Sequence, residues 1–582
     1  MKLNNFIYSI LAVGVVTLSS CGDFLDQMPD NRVELQTTEQ LRMLLSTSYP
    51  VYNYAGPCEL SSDNMEDNNA PDDDGLRYNL SAYDRGDDEM FAWEQCKSNT
   101  GSDSPSGIWE GQYLSIAGAN AVLERLAQME KEQEGGLDDT QTAIKGEALL
   151  IRAYGHFILA NVFCQAYAGP EKSQSLLGIP YITEPEKTPS PNYDRGTLAE
   201  TYAAIQKDLE EGLPLINNGL YEVPKYHFNS QAAHAFAARF YLFTRQYRKA
   251  VDEANLAFGG ADVNVTSYFS DIYSNNSDFY YISDFGKYNQ AVDKPRNFML
   301  IATYSTWFRR FVGGQRYCVI RKALNSTLQG PFPTVMRYTW GSTNGKGGKY
   351  YMHPAMNGNC GSNGQSEYGR YFAPNLSEQF ETTDIVNKTG YCHVTRSEFT
   401  GEETALVRAE AYFFLGEIDK GFADIQAWEQ HRRNNTYGNR TGFEFDDFTK
   451  ETVKSFYDPV NSRYADEMNK FEIIKPINIE QVCPSEDGAL TAENLPFIQC
   501  TQHFRRIETV HMGMRWFDIK RFGLEFTRKI GKTREETLSL DDPRRAIQLP
   551  ASVVAAGLQA NPADRVKVSD AVYKSKVLSY QK

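Results

Sequence analysis

The chain has 582 residues, a net charge of -16 and a pI of about 5.2. Lys and Arg form no run that would grip phosphates, which excludes nucleic acid as the expected partner. A mean hydropathy of -0.51 argues against an integral membrane protein. Aromatic residues make up 13% of the chain, with 35 Tyr, 33 Phe and 6 Trp. Tyr joins an apolar body to a polar tip and suits a surface that touches a ligand.

At the amino terminus Lys2 precedes a mostly apolar run from Phe6 to Leu18. The run is too short for a spanning helix of roughly 20 residues and has the size of a signal-peptide core. Leu18-Ser19-Ser20-Cys21 resembles a bacterial lipobox, in which Cys21 is acylated and becomes the first residue of the mature chain. The alternative is an ordinary secretory signal with a chance cysteine. With several acyl chains on Cys21, anchoring would be stable, since roughly two chains suffice where one is marginal. Asp23, Asp26 and Asp30 would then form a solvated spacer. Eight further cysteines follow without a C-x-x-C spacing. Export permits disulfides, but their connectivity is not legible.

Beyond residue 20 there is no long hydrophobic stretch. Helical periodicity places Leu150, Tyr154, Phe157 and Ile158 on one face, Phe236, Phe240 and Phe243 on another, and Ala405, Ala409, Tyr412, Phe413 and Gly416 on a third. Two of these segments share a pattern. Ala238, Tyr241, Ala250, Ala254 and Ala257 align with Ala409, Tyr412, Gly421, Ile425 and Trp428. The pattern is that of a tetratricopeptide-type helix pair, in which small residues let two helices approach closely. It places the inter-helix turn at Tyr247–Ala250. Two unrelated amphipathic hairpins are the alternative. From about 260 to 400 Gly, Asn, Ser and Tyr crowd together with little helical period. This predicts several loops packed on the helical scaffold, and loops on a rigid frame commonly carry binding function.

At this level of detail the chain resembles the SusD-like (RagB/SusD) outer-membrane lipoproteins of the Bacteroidetes. The resemblance rests on an ordered set of motifs: CGDFLDQMP, the S-D-N of Ser61–Asn64, and Trp109, Tyr113, Ile116 and Asn120 in IWEGQYLSIAGANAVL. LGIPY and FNSQAAHAFAARFYLF follow, then a C-terminal signature, RRIETVHMGMRWFDIKRFG, carrying Arg506, Glu508, Gly513, Arg515, Trp516, Asp518 and Arg521. Thr509-Val510-His511-Met512 and Gly421 depart from the usual pattern. The resemblance implies a mostly α fold with tetratricopeptide-like helix pairs and a large loop-rich ligand region. It implies one unit, 21–582, after the signal peptide 1–20, with a scaffold over about 37–258, loops over about 260–400 and a C-terminal region over about 401–582. The implied role is a non-enzymatic, lipid-anchored protein on the outer-membrane surface. Such a protein captures a glycan, or in some members a peptide, for a SusC-like TonB-dependent transporter barrel.

Neither H-E-x-x-H nor G-x-S-x-G occurs, and the histidines form no i,i+4 pair, so no catalytic motif and no metal or cofactor site is expected. Around Gly341, GSTNGKGG fails as a P-loop by spacing. The Asp72–Gly75 stretch fails as a calcium loop because Ala70 and Ser81 occupy the end-ligand positions. A carboxylate pair of the glycosidase kind has no local signature, so a tethered hydrolase stays open, as does a purely structural adaptor. A neutral sugar offers apolar CH faces and hydroxyls, so exposed loop aromatics are the expected contacts. The candidates are Trp93, Tyr280, Tyr281, Trp307, Trp340, Tyr350 and Tyr351, with Asp63 and Asn99 as polar partners. Trp109 and Trp516 are expected in the core, with Arg515, Asp518 and Arg521 in structural ion pairs.

Overall fold

The structure, a computed structural model, describes residues 35–71, 79–188, 193–270, 282–312, 315–318, 374–432, 448–458, 475–482, 485 and 487–563. The protein is mostly α. In chain order come α1 (Thr38–Ser46), α2 (Ala55–Ser61), α3 (Pro105–Glu132), α4 (Asp139–Phe163), α5 (Leu198–Gly212), α6 (Ser230–Phe243) and α7 (Tyr247–Phe258). Then follow α8 (Gly401–Phe414), α9 (Ile418–Arg432), α10 (Leu495–Glu508) and α11 (Met514–Arg521). Among the described residues no helix is long and apolar enough to cross a membrane.

Local signals explain where the helices begin. Ser104 accepts from the Gly107 N–H ahead of α3, and Asp138 and Gln141 form a capping box at α4, as Thr197 and Glu200 do at α5. α4 is buried on nearly every side, with Leu150, Tyr154, Phe157 and Ile158 among its fully enclosed residues. An all-round apolar helix belongs in the middle of a core. Accordingly α4 packs against both α3 and α5.

The repeat is real at the backbone level. α6 and α7 pack as one pair and α8 and α9 as another, and α7 lies against α8. The turns correspond residue by residue. Gln246 N–H donates to Tyr241 C=O and Glu417 N–H to Tyr412 C=O, each at 2.9 Å. Between them Arg245 and Gly416 both take left-handed conformations, φ 65° and 76°. This is a Schellman-type closure of the first helix of each pair. It places the turn at Thr244–Gln246, so Tyr247–Ala250 opens α7 instead of forming the turn as expected.

Gly421 is explained by the same packing. A Cβ on it would stand 2.7 Å from a ring carbon of Phe413 and 2.9 Å from the Ala409 carbonyl oxygen. We expect Gly421→Val to cost about 1–3 kcal/mol through overpacking. A urea-midpoint comparison checks this, and unchanged stability would show that α9 shifts freely.

The 260–400 region holds more regular structure than expected. Strands β1 (Asn297–Tyr304), β2 (Glu378–Asp384) and β3 (Thr389–Thr400) form an antiparallel sheet in the order β1-β3-β2. Its inner end is rooted in the helical core, where Phe399 packs with Tyr154, Phe228 and Phe236. Gly390 sits where a Cβ would lie 1.9 Å from the Glu381 carbonyl oxygen, so the β2–β3 hairpin closes only over a glycine there. A second hairpin, β4 (Phe526–Ile530) and β5 (Arg534–Leu538), follows α11.

Two buried ion-pair networks tie these layers together. In one, Arg239 bridges Glu398 (2.6 Å) and Glu403 (3.2 Å), Arg505 joins Glu403 to Asp518, and Arg521 joins Asp518 to Glu410. In the other, Arg432 and Arg296 share Glu402 and Glu508. Arg521 and Asp518 are thus structural, as the sequence suggests. Cys58, Cys96, Cys164, Cys392 and Cys500 are free thiols among the described residues.

Candidate functional site

Past its buried root, the outer end of the sheet is exposed, and the clustered tyrosines lie on one of its faces. On β1 the side chains of Ala302 and Tyr304 alternate outward while Ile301 and Thr303 point in. Tyr304 stands opposite His393 on β3, and His393 opposite Gln379 on β2. In the next outward row Tyr391 stands opposite Glu381. Residues paired across strands share a face, so Tyr304, Tyr391, His393, Gln379 and Glu381 occupy one surface.

Three tyrosines form its centre. Tyr304 is 40% exposed and Tyr391 59%. Their ring centroids lie 5.6 Å apart, edge to face, and the half-buried Tyr52 reaches within 6.4 Å of Tyr304. Several contacts hold the cluster. Tyr304 N–H donates to the Val51 carbonyl at 2.8 Å, and Ser305 N–H to the Cys392 carbonyl. Asp103 accepts from the Ser305 hydroxyl at 2.7 Å and from the Thr306 N–H at 2.8 Å. Among the described residues the Tyr52, Tyr304 and Tyr391 hydroxyls, the Gln379 amide and the Glu381 carboxylate have no hydrogen-bond partner. Rigid rings beside unengaged polar groups can cover an apolar ring face and bond hydroxyls around its edge.

The expected contacts that fall within the described residues lie elsewhere. Trp307 is 0% exposed; its indole N–H donates to the His511 carbonyl at 3.2 Å. Trp93 is 9% exposed, at φ 54°, with its N–H on the Ser61 carbonyl and the Arg528 guanidinium 4.1 Å from its ring. Both expectations are corrected: burial leaves these rings no face for a ligand. Asp63 is corrected too. It takes a bidentate bond from Arg515 (2.7 and 2.8 Å) and one contact from Lys475 (3.0 Å). Burial raises its pKa, but Arg506, Arg515 and Lys475 outweigh that and hold it well below the usual carboxylate range. Asn99, half-buried, accepts from the Gly101 N–H in its own turn. Trp516 is fully buried as expected, whereas Trp109 is half-buried against Tyr113 and Phe163. Tyr280, Tyr281, Trp340, Tyr350, Tyr351 and Cys21 lie outside the described residues.

What Asp63 and Trp93 do is close the chain on itself. Asn64 accepts from Arg506 Nε at 2.7 Å, and Glu59 accepts from the His511 and Gly513 N–H groups. Arg528 donates to the carbonyls of Leu60, Ser61, Ser62 and Phe91. The amino-terminal S-D-N segment and the carboxy-terminal signature are therefore one structural joint. Burial pushes the Glu59 carboxyl up to about 7, against hydrogen bonds from Asn64, His511 and Gly513 that lower it. A carboxyl whose folded pKa lies above its unfolded value favours the folded state below about pH 4.5 and loses that contribution as pH rises towards 7. We expect Glu59→Gln to flatten the fall in melting temperature between pH 5 and 8 relative to the parent. Parallel curves would show that Glu59 does not titrate in that window.

The frame is thus a helical-repeat scaffold carrying an exposed aromatic face. Residues 23–242 match the model of a SusD-like family described as "Starch-binding associating with outer membrane". Solved structures agree over the whole frame. A SusD superfamily protein from Bacteroides thetaiotaomicron VPI-5482 is 17% identical with TM-score 0.57, covering 90% of this chain and 100% of that one. One from Bacteroides vulgatus ATCC 8482 is 18% identical with TM-score 0.55, covering 91% and 100%. A SusD-like carbohydrate binding protein from the same strain is 14% identical with TM-score 0.51, covering 89% and 96%. No curated protein sequence matches the chain. Residues 23–242 are thus similar to that family in sequence, and the chain shares its fold with these solved structures.

Proposed function

We propose that the protein is a surface nutrient-binding lipoprotein that captures a glycan on the Tyr52–Tyr304–Tyr391 face. One observation carries the reading. Rings with solvent-facing surfaces and unengaged hydroxyls are held at fixed spacing by a sheet rooted in the core. Preorganised aromatic contacts bind without a large ordering cost. Trp340, Tyr350, Tyr351, Tyr280 and Tyr281 are proposed to add further ring contacts. Acylation of Cys21 would hold the protein to the outer membrane, and the captured glycan would pass to a SusC-like TonB-dependent barrel. The role is binding, not turnover. The buried acids Glu398, Glu402, Glu403 and Glu508 are each engaged by arginines.

The test is calorimetric titration of the chain from Gly22 against plant, host and microbial glycans, with tryptic peptides alongside. Saturable heat with a glycan that remains intact on long incubation supports the reading. Heat with peptides alone would replace glycan by peptide as the cargo, and chain shortening of the polymer would overturn the non-enzymatic role.

A further inference from the structure

Resting on that reading, we propose that the face selects neutral glycans and turns away anionic ones, with Glu381 as the specificity-determining residue. Glu381 is exposed and stands in register with Tyr391, the most open ring of the cluster. Among the described residues it has neither an ion-pair partner nor a hydrogen-bond partner. A sugar stacked on Tyr391 therefore meets a free carboxylate at its edge. Such a group accepts strongly from neutral sugar hydroxyls and opposes a uronate or sulfate placed at the same edge.

The nearby cations do not offset it. Arg309 is engaged with Glu378, which projects from the opposite face of β2. Arg396 is buried on that same opposite face with Glu398. Lys388 lies in the hairpin turn, at φ 52°. Among the described residues, Gln379, His393 and the tyrosines share this surface and add no permanent positive charge to it. The chain's net charge of -16 acts in the same direction at longer range.

An acidic residue on an edge strand also discourages strand-to-strand aggregation, so the experiment must read ligand charge. Starch, laminarin, xylan and galactan are each compared with their carboxymethylated counterparts by affinity electrophoresis at low and moderate salt. The parent, Glu381→Gln and the Tyr304→Ala/Tyr391→Ala pair are run together. We expect tyrosine-dependent binding of an unmodified polymer, at least tenfold weaker binding of its carboxymethylated form, and a narrowing of that gap by salt. Glu381→Gln should narrow it at least fivefold. Tyrosine-dependent binding of a carboxymethylated polymer within threefold of the neutral one, or a gap unchanged by Glu381→Gln, overturns the selection while leaving the glycan site in place. Absence of any tyrosine-dependent binding overturns the glycan reading and this inference with it.

Discussion

Replacing Glu508 by alanine is expected to destabilise the protein by about 3–5 kcal/mol, the range for breaking a buried ion pair by removing one partner. Glu508 is buried at the end of α10. It accepts from Arg432 at 2.8–3.0 Å and from the Trp428 indole at 3.0 Å, with Arg296 at 3.5 Å. Its loss removes one of the two carboxylates that these buried guanidinium groups share, Glu402 being the other. The penalty is the exposed cost of their desolvation more than any attraction forgone. Because α8, α9, β1 and α10 meet through these groups, the effect should reach the sheet as well as the helix pairs. Urea denaturation measures it. A shift of less than about 1 kcal/mol would mean that solvent reaches the network. A Glu508→Ala/Arg432→Met double variant should recover part of the loss, since an apolar replacement leaves one fewer charge unpaired.

Tyr304→Ala with Tyr391→Ala is expected to reduce affinity for the captured glycan about a hundredfold while changing the melting temperature little. Truncating a central aromatic contact commonly costs roughly 1–2 kcal/mol, or about tenfold each, and the two rings lie on one surface. Stability should hold because both side chains are substantially exposed and their hydroxyls bond no group among the described residues. Trp93→Ala is the informative contrast: it removes a packed ring under Arg528 and should lower stability. If the tyrosine pair binds glycan as well as the parent does, the site lies elsewhere, with Trp340, Tyr350 and Tyr351 the next to replace.

The tyrosine and Glu381 experiments separate location from selectivity. The first asks where a sugar stacks, the second which charge it carries. A pH series adds a stability axis. Glu402, Glu398 and Asp518 are buried, which raises their pKa values, but neighbouring arginines hold all three below the ordinary range. Their contribution is complete above pH 4–5 and is lost as pH falls through the folded values. Glu59 works the other way, so acid and neutral limits of stability report different parts of the molecule.

Much of this protein is local in origin and was legible as sequence. The helix pairs follow from a 3.6-residue period, cap residues such as Asp138 and Thr197, and small residues at Ala250, Ala254 and Gly421. Burial of Trp516 and ion pairing of Arg515, Asp518 and Arg521 follow from charges and aromatics interleaved on one helix. The ordered motifs carry the resemblance to the family. The short apolar run in NFMLIATY, which ends in outward Tyr304, and the alternation in TGYCHVT, which carries outward Tyr391, are a readable strand signal that the density of Gly and Asn around them obscures.

Only the tertiary structure decided which aromatics meet solvent. Trp93 and Trp307 sit in polar, loop-like stretches, yet their N–H groups seal onto carbonyls of distant segments and their rings fill the core. Asp63 looks like a free carboxylate until Arg515, more than four hundred residues on, takes both its oxygens. The exposed aromatic face draws Tyr52, Tyr304 and Tyr391 from three separate segments. Which of their neighbours share a face depends on strand register, where a one-residue slip would turn every side chain over. Sequence by itself determined the scaffold, because periodicity and capping act within a few residues. The site was decided by register and burial, which exist only once distant segments have paired.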